Sequence, residues 1–110
     1  MAPGYYRVHL KTKDEKNWLT IFVPLDSTGL YDASKPKPHV FKAIWEGDEY
    51  CGELIMNKGG QNFLRDYGGP DNLTDFLKVP ITLERVYRFH ENNLSQSQSW
   101  EFTVKALDRM

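Results

Sequence analysis

Period-two alternation of apolar and polar residues recurs along this 110-residue chain and confines it to a fold built mainly of strands. Residues 5–10 set Tyr6, Val8 and Leu10 on one face and Tyr5, Arg7 and His9 on the other. Residues 18–23 form a second β-rich run, closed by Pro24, which cannot donate to a ladder. The polar connector KTKDEKN over 11–17 makes these two a hairpin. Residues 39–45 and 50–56 predict a second hairpin through the four-residue link Glu46-Gly47-Asp48-Glu49. Residues 79–89 and 100–107 add two strands, the last alternating Trp100, Phe102, Val104 and Ala106 against Glu101, Thr103 and Lys105. Between these elements, 25–38 reads as a long loop too polar for the core, and 90–99 as a polar tip.

The stretch YCGELIMNKGGQNFLRDYGG over 50–69 breaks the strand pattern. Lys58-Gly59-Gly60 ends a strand, and Phe63, Leu64 and Tyr67 then share one helical face over 61–67, stopped by Gly68-Gly69-Pro70. Residues 71–78 offer a second short helical turn with Leu73, Phe76 and Leu77 buried. The expected architecture is mainly β: a six- to seven-stranded open barrel, or pseudobarrel, with one or two short helices, in a single domain over 1–110.

Composition excludes several classes. Hydrophobic residues at 40% and aromatics at 14% are incompatible with a disordered chain. No apolar run approaches the roughly 20 residues of a membrane helix, and MAPGYYRVHL lacks the apolar centre of a signal peptide. Membrane partners are therefore not expected. The single cysteine, Cys51, permits no internal disulfide and reads as a small buried hydrophobe, which suits a reducing, cytoplasmic setting.

Net charge of −1 conceals an uneven distribution. Residues 1–45 carry seven Lys/Arg against four Asp/Glu, whereas 46–80 carry three against seven, so an anionic partner would meet a local patch and not the whole surface.

Catalytic constellations are missing. Asp71 with Glu84 is spaced as in metal-dependent nucleases, but the lysine such a site needs two residues after the glutamate is absent. His9, His39 and His90 lie far apart with no partner at zinc-ligand spacing. Cys51 has no neighbouring His or Lys, and Gly59-Gly60 follows its lysine instead of preceding one, unlike a phosphate loop. No enzyme activity, metal or cofactor is expected.

Ile21-Phe22-Val23-Pro24, Val40-Phe41-Lys42-Ala43, Asn57-Lys58-Gly59-Gly60-Gln61-Asn62-Phe63-Leu64 and the closing Trp100-Glu101-Phe102-Thr103-Val104 occur in an order that resembles the B-three pseudobarrel DNA-binding domains. These occur in plant transcription factors and as recognition domains of EcoRII-like restriction endonucleases. The third string looks like that family's strand-to-helix segment with Gly60 in place of a Trp, and Lys78-Val79-Pro80 stands where the family has Gly-Asp. The resemblance implies a non-catalytic module for sequence-specific double-stranded DNA, the specificity part of a fused or associated nuclease or of a regulator. It would grip the major groove with two arms.

The residue types fit that role. Arg7, Lys11, Lys13 and Lys16 can neutralise phosphates, whereas Asn17, Asn57, Lys58, Gln61, Asn62 and Arg65 occupy the arm positions, where planar amides and guanidinium read adenine and guanine. Two other readings stand beside it. One is a five-stranded oligonucleotide-binding barrel that stacks single-stranded bases on aromatics such as Tyr5, Tyr6, Trp18 and Phe22, of which Tyr6 and Phe22 fall in register with core neighbours. The other is a protein- or carbohydrate-binding β-domain with Trp18, Tyr31 or Trp45 on a concave patch.

Overall fold

Tyr6, Val8 and Leu10 lie directly across from Val23, Ile21 and Leu19, so the alternation of the first two strands buries one shared face. A computed structural model of the chain describes residues 1–35, 39–56, 62–66, 72–74, 76, 78–91 and 99–110. These form eight antiparallel strands: β1 (Gly4–Lys11), β2 (Trp18–Leu25), β3 (His39–Trp45), β4 (Asp48–Met56), β5 (Asn62–Asp66), β6 (Asn72–Thr74), β7 (Val86–Glu91) and β8 (Ser99–Arg109). Each pairs with the next, and β8 returns to β1, giving a closed barrel. The expected small, mainly β barrel is what forms.

The two extra strands come from the segments expected as helices. Asn62–Asp66 pairs with β4 through Gly52↔Asp66 to Met56↔Asn62, and Asn72–Thr74 pairs with β5 and β7. A five-residue helix gains little on its own, whereas a strand laid on the edge of β4 satisfies its backbone at once, so tertiary pairing overrides the local pattern. The Lys58-Gly59-Gly60 stop, with Gln61 and Tyr67, lies outside the described residues.

Three other boundaries differ. The β3–β4 link is two residues, not four: Trp45 pairs with Asp48, leaving Glu46 (φ 50°) and Gly47 (φ 84°) as a turn with both central residues left-handed, as in type I′. Pro24 belongs to β2, which is tolerated because the β3 ladder stops at Ile21 and no strand calls on a donor at Pro24. Residues 79–85 are not strand. Ile81 turns inward to donate its N–H to Gly29 O (2.8 Å), Leu83 is exposed, and Glu84 takes φ 68° before β7 begins.

One extra residue in β8 sets the phase of its end. The register passes from His9↔Ala106 to Leu10↔Val104, a bulge at Lys105. After it, Leu107 and not Ala106 lies opposite the buried Val8 and packs on the core, while Asp108 faces outward opposite Arg7.

Aromatic rings pack against one another inside the barrel. Trp45 on β3 meets Trp100 and Phe102 on β8 (centroids 4.8 and 6.1 Å), Phe102 meets Phe89, and Phe89 and Tyr87 meet Phe76 (5.3, 6.4 and 5.1 Å). At the other end Tyr31, bridged to Leu25 and set edge-on to His39, is buried, so the 25–38 segment contributes to the core after all. Tyr87 also donates its hydroxyl to Pro80 O (2.6 Å), which ties the 79–85 segment across the barrel end.

Glu46 is the one residue of the tight turn whose side chain disfavours its own backbone conformation. Replacing Glu46 by Asn should raise unfolding stability by about 1 kcal/mol, read as a higher urea midpoint with an unchanged slope.

Candidate functional site

The outer wall of the β1–β2 hairpin gathers polar and aromatic side chains that the core does not use. Outward positions on β1 are Tyr5, Arg7, His9 and Lys11, and those on β2 are Trp18, Thr20 and Phe22. The register sets Arg7 opposite Phe22, His9 opposite Thr20 and Lys11 opposite Trp18. Two cation–aromatic pairs thus flank a His–Thr pair on one face, with Tyr5 exposed beyond them. His9 Nδ1 lies 2.7 Å from Thr20 Oγ1, and its ring centroid 5.6 Å from that of Trp18. Burial, then the charges of Lys11 and Arg7, hold the His9 imidazole below its ordinary pKa.

Expected site residues divide into three groups. Arg7 bridges Asp108 (3.1 Å), an exposed pair that shares its charge with an acid. Lys11, Lys13 and Lys16 enter no ion pair among the described residues and lie on or beside the hairpin tip, so the basic connector survives as a cationic feature. That tip is well ordered chemically: Asp14 accepts from the Thr12 hydroxyl (2.6 Å) and the Lys16 N–H (3.0 Å), which lowers its pKa.

Asn17 has a different job. Its Oδ1 accepts the Glu46 N–H (2.8 Å), so the amide expected to read a base instead clips the β1–β2 tip to the β3–β4 turn. The third group is the second arm. Asn57, Lys58 and Gln61 lie outside the described residues, and Asn62 and Arg65 stand on β5, four strands from β1 whichever way the ring is followed. Arg65 is registered against Glu53. Asn62 and Arg65 therefore do not lie beside the β1–β2 hairpin on the barrel wall.

The aromatics expected of the other readings also separate. Tyr6 and Tyr31 are core, and Trp45 is spent on Trp100 and Phe102. Phe22, expected inside, is on the outer face beside Trp18. Sequence reading missed Phe22, His9 and Thr20 as one unit. The signal was available in the 11–17 connector, because once Lys11 and Trp18 close the hairpin every cross-strand partner follows. Lys42, opposite Thr20 on β3, adds a cation, though Glu49 accepts its ammonium at 2.7 Å and raises its pKa.

On the other side of β1 a shallow cleft of about 410 Å³ is lined by Lys13, Glu15, Glu84, Glu101 and Lys105 among others. Glu84 pairs with Lys105 and Glu101 with Arg88 (both 3.2 Å), so its charges largely answer one another. Among the described residues no group of three or more His, Cys, Asp or Glu is placed to hold a metal ion, and no helix is long and apolar enough to cross a membrane. Cys51, expected inside, is exposed on β4 because it pairs with the outward Lys42.

No family model, curated protein or solved structure matches the chain.

Replacing Asn17 by Ala removes the clip between two hairpins and should cost about 1 kcal/mol of unfolding stability. Lys13→Ala and Lys16→Ala, at the exposed tip, should stay within about 0.5 kcal/mol in the same denaturation series.

Proposed function

We propose that this domain is a non-catalytic nucleic-acid-binding module that takes a single strand across the outer face of the β1–β2 hairpin. The observation that carries this reading is the alternation Arg7/Phe22, His9/Thr20, Lys11/Trp18 on one outward, half-buried sheet face. Successive outward positions on a strand are about 6.8 Å apart, about twice the 3.4 Å step per nucleotide of a duplex. Phe22 and Trp18, with Thr20 between them, stand two such positions apart, about 13.6 Å, a separation that suits bases drawn apart and stacked singly, with cations beside them for the phosphates. Lys13 and Lys16, which enter no ion pair among the described residues, extend the cationic track past Trp18 to the tip. An exposed free thiol at Cys51 suits a reducing intracellular compartment.

Duplex recognition, implied by the B-three resemblance, would draw on the same lysines. It asks in addition for base-reading groups from a second arm, and Asn17 is engaged with Glu46 while β5 lies across the ring. The single strand needs only what one hairpin supplies, which favours it.

Fluorescence anisotropy with a thymidine oligonucleotide should show binding with a log–log salt slope of about −3, from roughly four phosphates at −0.7 each. Trp18→Ala should weaken it by about 1–3 kcal/mol, and the combined Lys11, Lys13 and Lys16 to Ala change should flatten the slope by about 2. Tighter binding to a blunt duplex than to the single strand would reverse the assignment in favour of the duplex reading. No binding to either at low salt would end the nucleic-acid reading.

A further inference from the structure

The structure assigns to His9 the part of a proton-linked third cation, so that binding of a polyanionic strand on this face takes up a proton and tightens in mild acid. The inference rests on the platform reading above and concerns how that platform is regulated. Its starting point is a shortage of free charge. Arg7 shares its guanidinium with Asp108 and Lys42 its ammonium with Glu49, which leaves Lys11 as the one cation of the sheet face itself that enters no ion pair among the described residues. His9 stands between Arg7 and Lys11 on the same face of β1, where a strand running from Phe22 to Trp18 must cross it.

Burial, Lys11 and Arg7 push the His9 proton balance one way. The groups around it are, on β1, Arg7 and Lys11; on β2, the neutral Thr20 and Trp18; on β8, Ala106 directly opposite, with Lys105 at the bulge and Asp108 already engaged by Arg7; on β3, Lys42 beyond Thr20. With its partial burial, this neighbourhood disfavours the imidazolium, and the free protein carries His9 neutral at pH 7. In that state the Thr20 hydroxyl can donate to Nδ1, leaving the Nε2–H as the group that meets a ligand. A phosphate oxygen over the face reverses the balance by adding negative charge beside Arg7 and Lys11. A proton from solvent then enters at Nδ1, the Thr20 hydroxyl rotates to accept from it, and the ring becomes a cation with both N–H groups in use.

The sign of the linkage follows. Because the complex holds the His9 proton more tightly than the free protein, affinity rises as pH falls through the pKa of the complex and levels off below that of the free protein. For the free fold the sign is opposite: a folded-state pKa depressed below 6.5 means stability that is lost as pH falls from the unfolded value through the folded one. Acid therefore tightens binding while loosening the fold, and a general acid effect would not move the two in opposite directions.

The test uses the full chain and a thymidine oligonucleotide, whose bases and phosphates do not titrate in the range used. Affinity measured from about pH 8 to about pH 5.5 should rise several-fold, in the direction set by tighter proton binding in the complex. Calorimetry in two buffers of different ionisation enthalpy should report proton uptake on binding. In His9→Gln, which keeps an amide for Thr20, the pH slope and the uptake should both vanish. Thr20→Val, as a second variant, should reduce the uptake without changing the charge of the face. Binding that is flat with pH, or a slope that survives in His9→Gln, overturns the role of His9. Failure to bind at every pH instead overturns the platform itself.

Discussion

Ring-to-ring contact across the lumen is what the rest of this structure depends on. Trp45 reaches Trp100 and Phe102 although β3 and β8 are separated in the ring by β1 and β2, and from Phe102 the contacts continue through Phe89 and Phe76 to Tyr87. Edge-on and tilted rings of this kind hold each other through both burial and quadrupole geometry. The side chains buried among these rings are committed to packing, which turns attention to the wall and the rims.

On the wall, the same constraint gives the β1–β2 hairpin its rigidity. Its inner residues Val8, Leu10, Leu19 and Ile21 are almost completely buried, and this fixes the registry in which the outer residues are displayed. A loop could offer the same lysines and tryptophan but not their spacing. The Asn17 clip and the Asp14 turn extend that order to the tip, where Lys13 and Lys16 stand.

Much of this was legible in the sequence, and the failures have specific causes. Alternation located β1, β2, β3 and the inward face of β8 because each has one wet side. Asn62–Asp66 was misread because Phe63, Leu64 and Tyr67 fit a helical face, and nothing local reveals that β4 presents an edge to be paired. The Glu46-Gly47 signal was seen, but Asp48 and Glu49, the polar start of β4, look the same as a loop when read alone. The bulge at Lys105 could not be read from β8 in isolation, since it exists only relative to β1. At the candidate site the cations were visible as a run, while the cation–aromatic alternation appeared only with the register. Phe22 was assigned to the core because its neighbours are apolar, yet in β2 the inward set is Leu19, Ile21 and Val23.

Among the described residues, β6 joins β5 and β7 through three residue pairs on each side, where the β1–β2 ladder has eight. A hoop fastened with one short clasp comes apart at the clasp. Parting there would turn a wall without borders into a curled ribbon with two raw margins, each offering unused amide and carbonyl groups to another copy. Among the described residues the shortest closure of the ring is thus its smallest element, while the long hairpin that displays Trp18 sits on the far side of the hoop.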